Sequence, residues 1–367
     1  MKTRPLRFAV IGLGHIAQAA VLPAFAHAKG SSVLAALVSS SPEKLARLGR
    51  TYRVAARYGY DRFEECLRAE SIDAVYIALP NDLHREFTER AAAQGVHVLC
   101  EKPMAVTEED ALAMIRAAEA ARVKLMVAYR LHYEEANLRA IEIARSGRLG
   151  DPRVFSSTFT LQVRPGNIRT RRARGGGPGW DIGIYCVNAA RHMFGDEPVE
   201  VAAFSDGAPQ ERFREIEENL GAVLRFPGGR LATFVCGFGS ADVSEYRLGG
   251  ELGDLRLEPA FDYAGALRHH LTLRGRTSVR VFPPRDQFAP LLERFSRAVL
   301  EGGDPGPGGL EGLADVRILE AIYRSARSGS AMPVEPVAGL RRPDPAARMR
   351  KPPVGRAPII GVTPSHL

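Results

Sequence analysis

A lysine stands directly after an apolar run of the chain, in Glu101-Lys102-Pro103. Residues 96–100 (VHVLC) are typical of a buried parallel strand, which Pro103 would end. Ligands of open α/β folds bind at the carboxyl edge of the sheet, and Lys102 would lie at that edge. Because an unpaired lysine is costly to bury, Lys102 is predicted either to pair with Glu101 or to act on a ligand.

A second group of chemically capable side chains follows the glycine-rich residues 175–179. A helix is predicted to begin at Trp180, and helical spacing places Asp181 and Tyr185 on one face, with Asn188 near the same stripe. Taken alone, such an Asp is more typical of a helix cap, and such a Tyr of core packing. A flexible loop that holds them beside a nucleotide-binding domain favours a catalytic function instead.

Such a domain is predicted at the start of the chain. Residues 6–11 are typical of a short apolar strand and residues 18–29 of a helix, and Gly12-Leu13-Gly14-His15-Ile16-Ala17 joins them. This is the G-x-G-x-x-G/A fingerprint in its strand–turn–helix context. Gly12 permits the tight turn, Gly14 lets a pyrophosphate approach the backbone at the helix N-terminus, and Ala17 keeps helix and strand close. The sequence therefore predicts a dinucleotide site.

The end of the second predicted strand, residues 33–38, indicates which dinucleotide binds. NAD sites usually place Asp or Glu there for the ribose 2′-hydroxyl. Here residues 39–44 (SSSPEK) supply serines and Lys44 instead, with Arg47 one turn further on. Hydroxyls and cations suit a 2′-phosphate, so NADP is favoured over NAD. Ser41 is equally suited to cap a helix, and both functions can hold together.

Composition sets the broad class of the protein. A chain of 367 residues, 45% of them hydrophobic, is predicted to form two domains with sizeable cores. The four cysteines are scattered without a metal-type pair, so no metal is expected. We expect the cysteines to be buried thiols in a reducing compartment. No run is long enough to span a bilayer, and the first strand begins almost at once without a signal peptide. A cytoplasmic protein is predicted.

The net charge of +8 comes largely from two clusters of basic residues, within 164–174 and 341–356. No nucleic-acid-binding motif accompanies either cluster, so no nucleic-acid partner is expected. The tail is also rich in proline, which predicts irregular structure. A solvated basic tail is favoured, with packing across a subunit interface as the alternative.

The order of predicted elements indicates the fold. Strands and helices alternate to about residue 125, which predicts a doubly wound parallel sheet. After about residue 150, short turns join strands at 154–163, 199–204, 222–226, 231–237 and 246–248, which predicts an antiparallel sheet. Amphipathic helices are predicted at 291–300 and 313–327, and the latter could pack back on the first domain. We therefore expect an α/β protein with an N-terminal Rossmann domain (1–128), a C-terminal α+β domain with a mostly antiparallel open sheet (129–333) and a Pro/Arg-rich tail (334–367).

Taken together, the motifs resemble the glucose–fructose oxidoreductase, inositol dehydrogenase and rhizopine-catabolism (Gfo/Idh/MocA) superfamily, up to about Pro333. The glycine fingerprint, Pro80-Asn81-Asp82-Leu83-His84, Glu101-Lys102-Pro103 and Asp181-Ile182-Gly183-Ile184-Tyr185 carry the resemblance. Residues 129–134 (YRLHYE) and the tyrosine at 185, where many members have His, are most similar to the glucose–fructose oxidoreductase branch.

The resemblance implies a function for each site residue. Lys102 would hydrogen-bond the reacting hydroxyl or carbonyl of a sugar or polyol, Tyr185 would be the general acid/base with its phenolate favoured by Lys102, and Asp181 would orient the sugar. A nicotinamide supplies the hydride chemistry. The cofactor contacts expected from motifs and resemblance together are Gly12, Gly14, His15, Ile16, Ser39, Ser40, Lys44, Leu79, Pro80, Asn81, His84, Glu101, Lys102, Arg130, Arg169 and Tyr263. A homodimer or homotetramer formed through the second sheet is also implied.

One departure from the glucose–fructose branch leaves alternatives open. That branch carries an export signal and an N-terminal arm that wraps the cofactor, whereas only residues 1–5 precede the first strand here. An ordinary NADP-linked sugar or polyol dehydrogenase with exchangeable cofactor is therefore at least as well supported. A 1,5-anhydrofructose reductase, a dihydrodiol dehydrogenase and a non-catalytic NADP sensor are the other candidates. A sensor would need the fingerprint but not Lys102, Asp181 and Tyr185 together.

Overall fold

The structure, a computed structural model, describes residues 4–207, 210–355 and 359–362, and its first part is built on a parallel sheet of six strands. The strands are β1 (Leu6–Ile11), β2 (Ser32–Val38), β3 (Ala56–Tyr58), β4 (Ala74–Ile77), β5 (His97–Cys100) and β6 (Leu125–Val127). They lie in the order β3-β2-β1-β4-β5-β6. The chain therefore adds β2 and β3 on one side of β1 and then crosses to add β4, β5 and β6 on the other side. A cofactor crevice is expected at this crossing, between β1 and β4, and the predicted Rossmann architecture is confirmed.

Helices cover both faces of this sheet. They are α1 (Leu22–Ala24), α2 (Pro42–Tyr52), α3 (Phe63–Ala69), α4 (His84–Ala93) and α5 (Glu108–Ala120). Ser41 caps α2 as predicted, and Thr107 caps α5 in the same way, since each hydroxyl accepts a backbone N–H three residues later, at 3.3 and 3.1 Å. The helix after the fingerprint differs from the prediction: a π-helical turn at Ala17–Val21 precedes α1, and helical structure ends before Lys29.

The second sheet has nine strands and is mostly antiparallel, as predicted, with one parallel pair between β7 and β10. The strands are β7 (Pro152–Gln162), β8 (Glu200–Asp206), β9 (Asn219–Phe226), β10 (Arg230–Gly237), β11 (Gly239–Gly250), β12 (Gly253–Leu257), β13 (Leu267–Leu273), β14 (Arg276–Phe282) and β15 (Met332–Pro333). Residues 253–282 were not predicted as strands. Their charged side chains hide the apolar alternation, and β14 is exposed along nearly its whole length.

The remaining helices pack against the inner face of the second sheet and against the first domain. They are α6 (Glu135–Arg145), α7 (Ile184–Phe194), α8 (Ala289–Glu301) and α9 (Gly309–Ser328). Sequence reasoning missed α6, because its cap is an unusual residue: the carboxylate of Glu134 accepts the N–H groups of Ala136 and Asn137 at 2.8 and 2.7 Å. α9 packs between α5 and β8, and Arg317 bonds Glu108 at 3.1 Å. The domain limits at 128 and 333 stay a prediction.

The C-terminal tail differs from the expectation of a solvated arm. Its described residues are largely irregular, as predicted, with one short turn at Pro345–Ala347. Arg342 and Arg350, however, each lie 2.7 Å from a carboxylate of this same chain, those of Glu197 and Glu135. Both carboxylates are nearly buried, so these ion pairs hold the tail on the protein. The basic residue at 356 lies outside the described residues.

Helix lengths and hydropathy also bear on membrane association. Among the described residues, the structure contains no helix whose length and apolar character would let it cross a bilayer.

Candidate active site

Lys102 follows β5 at the carboxyl edge of the first sheet, and its ammonium reaches across to the second domain. Its Nζ donates to the backbone oxygen of Asp181 at 2.6 Å and to the Oδ1 of the same residue at 3.3 Å. The sequence left open whether Lys102 pairs with Glu101 or acts on a ligand. Its direct partner is Asp181, on the other side of the cleft.

Glu101 instead faces into the first domain. Its Oε1 accepts the hydroxyl of Tyr76 at 2.7 Å, and its Oε2 accepts the backbone N–H of Lys102 at 3.3 Å. Burial raises the pKa of Glu101, although the hydrogen bond from Tyr76 opposes that shift. Glu101 therefore fixes the backbone from which Lys102 projects.

Asp181 is held between two cations. Its Oδ2 accepts the Nε–H of Arg169 at 2.6 Å, while Lys102 lies at Oδ1. Burial alone would raise the pKa of Asp181, but Arg169 and Lys102 outweigh it and hold the value at about 2. Burial likewise disfavours the ammonium, yet the Coulombic interactions with Tyr185, Asp181 and Glu101 raise the pKa of Lys102. The carboxylate and the ammonium are both charged at neutral pH.

Tyr185 lies one helical turn after Asp181 and completes the group. The ammonium of Lys102 lies 4.7 Å from the centre of the Tyr185 ring, and the guanidinium carbon of Arg130 lies 5.0 Å from it. Aromatic contacts with Phe159 and Phe261 hold the ring, with centroids 5.7 and 5.6 Å away. Both cations therefore make cation–π contacts with the ring of Tyr185, which keep it at the meeting point of the two domains.

Backbone geometry brings the two halves of this group together. Asp181 lies in a π-helical turn, Gly179–Gly183, which leads directly into α7 and so presents Tyr185 on the same side. The preceding loop touches the first domain, since Asn81 donates to the backbone oxygen of Gly175 at 2.8 Å. A Cβ at Gly175 would come within 2.8 Å of Asn81 Cβ, so only glycine permits this approach.

The group lines a cleft of about 1170 Å³ that extends to the glycine fingerprint. At Gly12, φ is +87° and a Cβ would lie 2.4 Å from the backbone oxygen of Ala78, so the tight turn requires glycine. At Gly14, a Cβ would meet no protein atom within 4 Å and would project into open space. That space beside the backbone suits a pyrophosphate, so these residues fit a dinucleotide.

Most of the predicted site residues line this cleft. Those that do are Gly14, His15, Ile16, Lys44, Leu79, Pro80, Asn81, Glu101, Lys102, Arg130, Arg169, Asp181, Tyr185 and Tyr263. Their individual contacts with cofactor and substrate stay predictions.

Four predicted cofactor residues lie outside the cleft lining. Gly12 forms the turn beneath it, and Ser39 and Ser40 lie at the end of β2, where the Ser39 hydroxyl accepts the N–H of Ser41 at 3.2 Å. His84 differs most from the expectation, since it is fully buried. Its ring nitrogens lie 2.9 and 3.0 Å from the backbone oxygens of Pro103 and Leu79, so it ties together the two loops that do line the cleft.

Comparison with known proteins places the chain in a family. Residues 6–129 match the model of an oxidoreductase family with an NAD-binding Rossmann fold, GFO/IDH/MocA, and residues 137–256 match the GFO/IDH/MocA C-terminal domain. D-xylose 1-dehydrogenase (NADP(+)) 2 of Haloferax volcanii is 31% identical over 338 residues, which cover 90% of this chain and 100% of that protein. The chain belongs to the Gfo/Idh/MocA oxidoreductase family.

Solved structures of the Gfo/Idh/MocA fold agree. An aldose–aldose oxidoreductase from Caulobacter crescentus, in complex with glycerol, is 40% identical with a TM-score of 0.86, over 90% of this chain and 100% of that one. A 3-ketoreductase from Actinomadura kijaniata, in complex with NADP and TDP-benzene, is 28% identical with a TM-score of 0.80, over 88% and 98% of the two chains. The family assignment and the fold predicted from the motifs are confirmed.

Sequence reasoning missed the part of the Gfo/Idh/MocA cleft that the second sheet supplies. Its lining includes polar side chains from β7, β11, β12 and β13 and from the loop between β12 and β13; among them are Thr160, Asp242, Ser244, Arg256, Asp262, Arg268 and His270. The sequence offered no signal for them, because polar residues on strands are equally typical of a solvated sheet face.

Behind the cleft, three buried side chains have the spacing of metal ligands, but a positive charge of the protein beside them opposes the binding of a metal cation. Within the described residues, ligand atoms of His132, His192 and Glu311 lie within 4.8 Å of one another. The guanidinium of Arg191 already lies 2.7 Å from Glu311 and so supplies the positive charge that a metal ion would bring. We therefore interpret this group as part of a buried ion-pair network. Asn188 donates to Asp315 at 2.8 Å, so it belongs to this network and not to the candidate catalytic group.

Proposed function

We propose that this protein transfers hydride between a sugar CH–OH group and the nicotinamide of NADP. Tyr185 would accept or return the proton of that group, and Lys102 would hydrogen-bond its oxygen. The observation that carries the proposal is the meeting of Lys102, Asp181 and Tyr185 in one cleft with the glycine fingerprint. The protein is an NADP-dependent oxidoreductase acting on sugars, as its relatives support: two D-xylose 1-dehydrogenases (NADP+), and a 1,5-anhydro-D-fructose reductase of Ensifer adhaerens that is 30% identical.

Residues of the first domain would hold the cofactor. The fingerprint backbone at Gly14 suits the pyrophosphate, and Lys44 suits the 2′-phosphate, since no carboxylate stands at the end of β2. Leu79, Pro80 and Asn81 would lie along its middle. The bound nicotinamide supplies a hydride acceptor or donor.

Oxidation of a CH–OH group removes a hydride from carbon and a proton from oxygen, so a protein base must accept the proton. Tyr185 suits this step, because its phenol lines the cleft beside the ammonium of Lys102. In the reverse direction the phenol returns the proton to the carbonyl oxygen. Lys102 can donate to the same oxygen, and Asp181, kept ionised by Arg169, can accept bonds from neighbouring sugar hydroxyls.

We also propose that the protein is a cytoplasmic homodimer or homotetramer without nucleic-acid or membrane partners. Four free, buried cysteines support a reducing compartment. On the outer face of the second sheet, Val154, Leu231 and Val235 are about half exposed, and Phe204 is 82% exposed. Strand register places them together: Leu231 pairs with Val154, and both Val235 and Phe204 pair with Gly221. Such a contiguous apolar face is typical of a subunit interface.

A single spectroscopic experiment tests the proposed reaction. The absorbance of the purified protein at the reduced-nicotinamide band is measured with NADP before and after each of a panel of aldoses and polyols, with Tyr185→Phe as control. We expect the band to rise with at least one aldose in the parent protein and to stay flat in the control. NADP binding without reduction by any sugar would favour the sensor alternative and refute the enzyme. The band of the protein as purified also reports whether cofactor is retained.

A further inference from the structure

The C-terminal tail reaches the glycine fingerprint of the first domain. The side chain of Gln18, in the π-helical turn after the fingerprint, accepts the backbone N–H of Ile360 at 2.8 Å through its Oε1. Its Nε2 donates to the backbone oxygen of Ile360 and to that of Leu13, each at 2.9 Å. Gln18 is 2% exposed, so its amide is used entirely inside the protein. Gln18 thus bonds both the N–H and the C=O of Ile360, as a neighbouring strand of a β-sheet would.

The residues after this contact enter the cofactor cleft. Gly361 and Val362 belong to its lining, together with Gly14 and Lys44. A Cβ at Gly361 would lie 3.2 Å from Cε of Lys44, so the tail backbone packs on the stem of the cation suited to the 2′-phosphate. Ile360 itself is 7% exposed and packs into the core of the first domain. The tail is therefore part of the wall at the adenosine end.

Earlier tail residues are also bonded to the two domains. Arg350 bonds both oxygens of Glu135 on α6, at 2.7 and 3.0 Å. The next residue, Lys351, forms an ion pair with Glu293 on α8 and donates to the backbone oxygen of His27 at 3.2 Å. These contacts run from the second domain across α8 to the turn that follows α1 in the first domain. Groups that are already held in place, as Ile360 is by Gln18, lose little further entropy when they cover a ligand.

We infer that residues 359–362 form part of the cofactor-binding site and slow the release of NADP. This inference rests on the proposed NADP function. A dinucleotide that binds along the fingerprint lies beneath a backbone that contacts Lys44, and release then requires the tail contact to open. Breaking the Gln18 contact removes the two hydrogen bonds that hold Ile360.

The test measures the release rate of NADPH by stopped-flow fluorescence after mixing the loaded protein with excess NADP. Three variants are compared with the parent protein: truncation after residue 358, Gln18→Leu, and truncation after residue 362 as the matched control. We expect release to be about tenfold faster in the first two, which corresponds to the loss of a contact worth about 1.4 kcal/mol. We expect the control to match the parent, because residues 359–362 are retained.

A combined variant separates the tail contact from general loosening. Gln18→Leu and the truncation after residue 358 both break the Gln18–Ile360 contact, so the combined variant should release NADPH no faster than the faster of the two single variants. Thermal unfolding of the variants without cofactor, within a few degrees of the parent, would show that the domain stays folded. Equal release rates in both truncations would overturn the inference while leaving the NADP function intact. A parent protein that binds no NADPH would instead overturn the proposed function.

Discussion

At the scale of single residues, the candidate catalytic group is held by ion pairs between the two sides of one cleft. Asp181 carries the carboxylate that Lys102 and Arg169 share, with oxygens 3.3 and 2.6 Å from the two cations. Lys102 and Arg130 then lie over the ring of Tyr185. On the proposed reaction, changes at Lys102 and Tyr185 are expected to alter proton transfer more than cofactor binding, since the fingerprint lies elsewhere in the cleft.

Replacing the proton-transfer residues should therefore separate turnover from binding. In Lys102→Ala and in Tyr185→Phe we expect turnover to fall by about 10²–10⁴-fold, the usual contribution of a positioned acid or base. NADP affinity should change little. Steady-state kinetics measure the first quantity and NADPH fluorescence titration the second. Unchanged turnover in both variants would refute the assignment, whereas loss of NADP binding would show that Lys102 belongs to the cofactor site.

At the scale of elements, the loop from β2 to α2 decides which dinucleotide is preferred. Lys44, in the first turn of α2 just after this loop, lines the cleft, and no carboxylate stands at the strand end. Arg47, one turn later, was a second candidate for the 2′-phosphate. In the structure it forms an exposed i,i+4 pair with Glu43 at 3.1 Å and does not line the cleft. Of these two cations, Lys44 is therefore the one that lies in the cleft, where it could contact the 2′-phosphate.

This arrangement predicts a difference between two similar substitutions. Lys44→Ala should weaken NADPH binding by about tenfold, as loss of one charge-assisted bond implies, and leave NADH binding nearly unchanged. Arg47→Ala, the matched control, should alter neither. Fluorescence titration of each variant with both cofactors gives the four affinities. Equal weakening of NADH and NADPH by Lys44→Ala would show that its cation does not recognise the 2′-phosphate.

Glycine-rich elements also decide how the domains meet. The loop before Asp181 approaches the first domain at Asn81, and Arg174 bonds Asp82 at 2.9 Å. The sequence predicted flexibility there, and the structure shows a second use of glycine, which is close backbone packing between domains. His84, taken at first for a cofactor contact, likewise holds two loops together from within the core.

At the scale of the whole molecule, the outer face of the nine-stranded sheet predicts assembly. We expect the parent protein to be at least a dimer and the double variant Phe204→Lys/Val235→Lys to run at lower mass, because paired lysines would be buried at the interface without partners. Leu300→Lys, on α8 away from this sheet, is the control and should keep the parent mass. Size-exclusion chromatography with light scattering measures all three. A monomeric parent protein would contradict the prediction.

The sequence by itself determined the features that depend on neighbouring residues. The fingerprint with its strand and helix, the lysine at the end of β5 and the helical spacing of Asp181 and Tyr185 are all local patterns, and together they indicated the family. The strands at residues 253–282 escaped because their burial depends on the sheet that they join.

Only the tertiary structure decided which of these residues meet. Lys102 bonds Asp181, 79 positions away, rather than its neighbour Glu101. Gln18 holds Ile360, which is 342 positions away, and so brings a tail that was expected in solvent to the cofactor cleft. The physical reason is the same in both cases: a charged or polar group near the core takes the partner that packing brings within hydrogen-bonding distance, and sequence separation carries no information about that distance.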